Sequence, residues 1–134
     1  MIKQYLALDV GAARIGVALA NDVARIASPL PVLANDESFC SKLRDLTSEH
    51  HISQIVVGWP RGLDGQETEQ TRYVENFISK LDLCGVPVVR QDEALTSVQA
   101  EAELKKSGKN FTKGDIDSLS AVYILEDFLA ELPS

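Results

Sequence analysis

The stretch from Leu6 to Asp22, LALDVGAARIGVALAND, constrains this chain more than any other. An apolar run ends in Asp9, a short break holds Gly11 and Arg14, and a second apolar run follows. The pattern predicts two strands joined by a tight turn. Leu6, Leu8, Ile15, Val17 and Leu19 fall on one face; Tyr5, Ala7, Asp9, Gly16, Ala18 and Ala20 fall on the other. Asp9 therefore stands at the end of a strand, on a face of small side chains, where α/β sheets place their chemistry. A plainer reading makes Asp9 a turn former that bonds nearby backbone N–H groups. A P-loop is excluded, because Val17 and Ala18 follow Gly16 where Lys and Ser or Thr would be needed.

The rest of the chain supplies the elements around this hairpin. Ala24 to Leu33 carries β-formers with Pro29 and Pro31, which suits an antiparallel edge strand. Asn35 or Asp36 is expected to cap a helix whose apolar face is Phe39, Cys40, Leu43 and Leu46, running to about His50. His50 and His51, adjacent in sequence, diverge around a helix and are read as its hydrated C-terminal end. Ile55-Val56-Val57-Gly58 reads as a strand buried on both faces. A loop over Trp59–Gly65 then leads into a helix marked by Val74, Phe77, Ile78 and Leu81. Val86 to Val89 reads as a further strand that leads into Arg90-Gln91-Asp92-Glu93. Thr96 with Gln99 fits a capping box for a helix ending near Gly108, and a last helix is expected from about Asp115 to Leu132.

The order β-β-β-α-β-α-β-α-α predicts an α/β fold. Its mixed five-stranded sheet has three antiparallel strands, then parallel strands, and is flanked by helices: the ribonuclease-H-like arrangement. At 134 residues one domain over 1–134 is expected, and 45% hydrophobic with 25% charged residues is ordinary for a globular chain. No run approaches the roughly 18 apolar residues of a membrane helix, and no signal-like segment opens the chain, so a cytoplasmic location is expected. Cys40 and Cys84 form no C-x-x-C pair and read as buried thiols rather than zinc ligands or a disulfide.

In that topology Asp9 ends the first strand, Glu93 follows the last, and Asp117 lies in the first turn of the last helix, so three remote acids converge. Mg²⁺ or Mn²⁺ takes such oxygen ligands together with waters and substrate phosphate oxygens, and supports in-line phosphodiester hydrolysis. Each acid also has an ordinary structural reading, and Asp22, Asp64, Asp92 and Asp115 compete for the same role; Asp115 is a candidate N-cap. The net charge of −7 argues against a protein that coats nucleic acid non-specifically, though not against a local grip. Lys105, Lys106, Lys109 and Lys113 surround Gly108 and Phe111 and form a candidate phosphate-binding loop, with Phe111 as a base-stacking face. Arg14, Arg61 and the backbone N–H at Gly65 are further phosphate candidates.

Four ordered blocks carry a family resemblance: Leu8-Asp9-Val10-Gly11 with Arg14-Ile15-Gly16-Val17-Ala18; Val56-Val57-Gly58-Trp59-Pro60 with Asp64-Gly65; Asp92-Glu93 with Leu95-Thr96; and Ile116-Asp117-Ser118-Leu119-Ser120-Ala121-Val122 with Ile124-Leu125. The chain resembles the YqgF family, also called RuvX, of pre-16S rRNA nucleases and Holliday junction resolvase-like proteins. That resemblance implies metal-dependent nuclease chemistry with Asp9, Glu93 and Asp117 as the acidic residues. It also implies structured RNA, a pre-rRNA of the ribosomal small-subunit precursor above all, or branched DNA as substrate. Two departures bear on substrate handling: Ala94 stands where the family usually has arginine, and Trp59 with Arg61-Gly62 alters the glycine loop. Two other classes compete with the nuclease: an actin-like nucleotide-binding protein, which a chain of this length fits poorly, and a non-catalytic ribosome-assembly module.

Overall fold

The computed structural model describes residues 2–60, 69–81, 85–93 and 96–133. Its elements are β1 (Gln4–Val10), β2 (Arg14–Asn21), β3 (Ser28–Ala34), α1 (Phe39–Glu49), β4 (Ile52–Pro60), α2 (Glu69–Leu81), β5 (Val88–Glu93), α3 (Thr96–Ser107) and α4 (Lys113–Glu131). The sheet order is β3-β2-β1-β4-β5. β1 and β2 pair antiparallel, as do β2 and β3, while β4 lies parallel to β1 and β5 parallel to β4. The mixed sheet expected from the sequence is the one observed.

Alternation along β1 divides the core into two layers. Leu6, Leu8, Ile15, Val17, Ile55 and Val57 meet Phe39 and Leu43 of α1 and Val74, Ile78 and Leu81 of α2. On the reverse face Tyr5, Ala7, Ala18, Ala20 and Val56 meet Ala121, Val122, Ile124, Leu125 and Leu129 of α4. The small residues noted in the opening hairpin thus admit a helix. With Ala and Gly on the sheet, the α4 backbone comes close enough for its larger side chains to fill the layer. Leu125 and Ile124 are fully buried there, each worth roughly 1.5–3 kcal/mol of apolar burial.

Both ends of α4 are tied down. Thr112 is the N-cap: its hydroxyl accepts from Asp115 N–H at 3.2 Å, and the Asp115 carboxylate accepts from Thr112 N–H at 2.9 Å. At the other end Arg25, held at φ 53°, donates to the carbonyls of Leu129, Leu132 and Pro133. Leu129 O also accepts from the Leu132 N–H of the C-cap, so Arg25 closes the last turn and the two residues that follow it.

Several expected boundaries move. β5 continues through Arg90 to Glu93, because Val57, Gly58, Trp59 and Pro60 extend β4 and pair with it. Arg90 lies over the Trp59 ring, 4.1 Å from its centroid. Ser38, not Asn35 or Asp36, occupies the N-cap of α1. Asp36 instead accepts from the Ser38 N–H at 2.8 Å and from its hydroxyl. Those bonds hold its carboxyl below the ordinary range. Cys40 is exposed, a correction to the buried thiol expected: only Phe39 and Leu43 of α1 are buried. Cys84 lies outside the described residues.

Candidate active site at the carboxyl ends of the parallel strands

β1, β4 and β5 run parallel and finish at one edge of the sheet, where β2 begins. Asp9 is the penultimate residue of β1 and pairs with Gly16 across the hairpin. It is partly buried and lies on the face of Tyr5 and Ala7, the face covered by α4. The turn behind it is pinned from several directions. Gly11 N–H donates to Arg14 O at 3.0 Å, and a Cβ on Gly11 would come within 2.7 Å of that same oxygen.

Neighbouring side chains hold the strand ends. Asn35 Nδ2 donates to Gly11 O at 2.7 Å and to the Tyr73 hydroxyl at 2.8 Å. Asn35 N–H also donates to Ala13 O at 3.0 Å, so this residue anchors the turn instead of capping α1. From the start of α2, Gln70 Nε2 donates to Val10 O at 3.1 Å and the Thr71 hydroxyl to Pro60 O at 2.9 Å.

Asp117 approaches from the opposite layer. With Thr112 as N-cap it falls beyond the first turn of α4, one correction to the sequence reading. Its backbone rests on Gly16: a Cβ there would lie 1.9 Å from the Asp117 carbonyl oxygen. Gly16 is thus flanked by Asp9 along the sheet and by Asp117 above it. Arg14, the first residue of β2, donates Nε–H to Asp117 Oδ2 at 2.7 Å, with the two side chains 39% and 22% exposed.

Glu93 is the last residue of β5, opposite Pro60, and its side chain lies outside the described part. The competing acids sort out by position. Asp115 is consumed by the capping box. Asp22 accepts from Lys3 N–H at 3.0 Å at the far end of the hairpin. Asp92 is exposed on β5, and Asp64 lies outside the described residues. Among the described residues no three His, Cys, Asp or Glu side chains cluster closely enough to hold an ion.

Arg14, Phe111, Lys113 and Asp117 line one groove of about 410 Å³, together with Glu101 and Thr112. The structure thus joins two of the predicted phosphate contacts, Arg14 and Lys113, to the predicted stacking residue and one predicted acid. Lys105 turns to Glu101 at 3.4 Å, while Lys106 and Lys109 stay exposed beyond the groove. Arg61 and Gly65 lie outside the described residues. The sequence reading did not find Gly16, Asn35 or Gln70 as parts of the site. Gly16 alone carried a signal, as the one residue of the small face without a Cβ.

The sequence profile of the RuvX family, described as Holliday junction resolvase, matches residues 3–131. The chain belongs to the RuvX family. A relative from Sulfurihydrogenibium sp. (strain YO3AOP1), named "Putative pre-16S rRNA nuclease", is 40% identical over 98% of this chain and 92% of its own length. One of the same name from Anaeromyxobacter sp. (strain Fw109-5) is 37% identical over 94% and 96%. In fold, this RuvX chain is similar to Thermus thermophilus RuvC in complex with a Holliday junction substrate: TM-score 0.55, 14% identity, 91% of each chain covered. That likeness assigns the ribonuclease-H-like architecture. No helix among the described residues is long and apolar enough to cross a membrane.

The donor chemistry at Gly16 fits a divalent cation. Asp9 stands on the strand paired with Gly16 and Asp117 on the helix whose backbone packs against that glycine; both offer hard oxygen ligands, and such ions take one or two carboxylates with water and phosphate oxygens completing the shell.

Proposed function

We propose that this chain is a metal-dependent endonuclease that hydrolyses phosphodiester bonds in structured RNA, acting on the pre-16S rRNA of the small-subunit precursor in the cytoplasm. The observation that carries this reading is that Asp9 and Asp117 both neighbour Gly16 at the carboxyl end of the parallel strands, Asp9 as its strand partner and Asp117 through the helix backbone packed on it. Family membership and the names of the relatives support nuclease chemistry and an rRNA substrate. The family description and the RuvC-like fold support branched DNA as the second substrate class.

In this reading Asp9, Asp117 and Glu93 hold Mg²⁺ or Mn²⁺. The bound ion supplies an activated water and neutralises charge on the leaving oxygen. The chain's own residues do the rest. Lys113 and Arg14 hold backbone phosphates in the groove that leads to Asp117, and Phe111 stacks a base. Lys105, Lys106 and Lys109 extend the positive surface beyond it. Arg61 and the Gly65 N–H belong to the same set of phosphate contacts. The acids repel phosphate until a cation is present, so cleavage depends on the ion for binding as well as for chemistry.

The test is cleavage of a pre-16S rRNA fragment and of a four-way DNA junction by Asp9→Asn and Asp117→Asn, with Mg²⁺ and with Mn²⁺. Both variants are expected to keep the circular-dichroism spectrum of the wild type. Each is expected to lose more than about 100-fold in rate, beyond the roughly 10–100-fold typical of residues that only support a metal ligand. Full activity in either variant overturns the assignment. Undiminished RNA binding without cleavage by the wild type points to the assembly module instead.

A further inference from the structure

Arg14 and Asp117 are joined across 103 residues of sequence by the 2.7 Å Nε–Oδ2 bond. Each backbone is fixed without the other's help. Arg14 O accepts from Gly11 N–H, and Arg14 pairs with Ala34 of β3. Asp117 is seated by the close approach of its carbonyl to Gly16, by the Thr112 cap, and by the Ser118 hydroxyl, which donates to Leu30 O at 3.1 Å. With both Cα positions set, the bond governs the one freedom left, the rotation of the Asp117 carboxylate. An ion pair this exposed adds little to stability, so its consequence lies in orientation.

We propose that Arg14 is the positioning residue of Asp117, fixing one carboxylate oxygen so that the other is presented in a constant direction. The proposal rests on the reading of Asp117 as a metal-holding acid. Carboxylates that ligate metals are themselves held by hydrogen bonds, and these outer partners tune affinity. Arginine suits the task because the Nε–H edge serves Asp117 while the terminal amino groups are left for a second acceptor. Arg14 lines the groove with Lys113 and Phe111, so a phosphate there is the natural second acceptor. One side chain thereby couples the orientation of the acid to the presence of the strand. Lysine carries the charge but lacks the planar edge, and does not substitute.

Two measurements on the full chain test this. In metal-free protein, NMR is expected to show the Arg14 Nε–H resonance shifted and protected from exchange, with both properties lost in Asp117→Asn. An Arg14 resonance indifferent to that substitution overturns the proposal whatever the metal does. In Mn²⁺ titrations followed by electron paramagnetic resonance, Arg14→Ala and Arg14→Lys are expected to bind about 10–100-fold more weakly than wild type. Added guanidinium, at a non-denaturing concentration, is expected to restore Arg14→Ala but not Arg14→Lys. Affinity unchanged or tighter in both variants overturns the positioning role, since Arg14 would then be a competing cation or a substrate contact only. Wild-type protein that binds no Mn²⁺ removes the metal reading of the site, while the resonance still decides whether Arg14 orients Asp117.

Discussion

Gly16 and Asp117 are in backbone contact so close that no other residue fits at position 16: an added Cβ would stand 1.9 Å from the Asp117 carbonyl oxygen and 2.4 Å from its carbonyl carbon. The obstacle is helix backbone, which cannot rotate aside. α4 would have to lift from the sheet, taking Asp117 away from Asp9.

Gly16→Ala is therefore expected to cost about 2–3 kcal/mol through overpacking, a fall of roughly 10 °C in Tm. It is also expected to slow cleavage about 100-fold, the penalty for a displacement of about 1 Å at a reacting centre. Gly114→Ala is the control. Its Cβ meets Val32 Cγ1 at 3.1 Å, a side chain able to shift, and the gain in helix propensity of about 1 kcal/mol offsets the crowding. Thermal unfolding of the two variants side by side checks the difference.

Thr112→Ala removes the hydroxyl that accepts from Asp115 N–H and breaks one half of the capping box. The expected cost is about 1 kcal/mol, a Tm lower by roughly 4 °C. Because α4 carries Asp117, hydrogen exchange should quicken first in the turn from Lys113 to Asp117. Chemical denaturation with amide exchange provides the measurement.

Tyr5 and Asp36 set opposite pH limits. Burial, aided by the charge of Asp22 and opposed by Arg25, raises the Tyr5 phenol above its ordinary 10. The folded state thus favours the proton, and this contribution is complete below about pH 10 and lost as pH rises through the folded value. The bonds from Ser38 lower the Asp36 carboxyl below 3.8, so its contribution is present above that pH and lost as pH falls through the folded value. Tyr5→Phe is expected to flatten the alkaline limb of a stability profile and Asp36→Ala the acid limb. Urea titrations across pH 2–11 check both.

Local pattern carried the strands and most of the helices. Alternation about Asp9 predicted the faces of the hairpin, and the element order predicted the sheet, because both depend on short-range periodicity. The strand was expected to end at Val89 and lead into the polar run Arg90-Gln91-Asp92-Glu93, since the pairing of that run with Trp59 and Pro60 is a matter of partners that composition does not reveal. A capping box was expected at Thr96, now the first residue of α3. The box observed uses Asp115, whose shorter carboxylate does what Glu or Gln does in the usual pattern. Cys40 follows Phe39 by about 100° of helix, enough to leave the buried face.

Asp9 and Asp117 were singled out because each was read at the end or start of an element, and the structure sets both near, not at, those ends. The Arg14–Asp117 bond was not singled out, because nothing in the sequence near either residue refers to the other. Asn35 was read as a cap from its type alone. Its grip on Gly11 and Tyr73 depends on where β3 returns beside the hairpin turn.

The helix that carries Asp117 meets the strand that carries Asp9 only when residues 113–131 have docked on the small-residue face of the sheet. A partly folded chain, however well formed its hairpin, holds one acid and has no second. For a chain read as a cutter of nucleic acid, this works as a safety catch: the blade needs the two ends of the chain packed together, and a copy in which the helix has not docked carries only half of it.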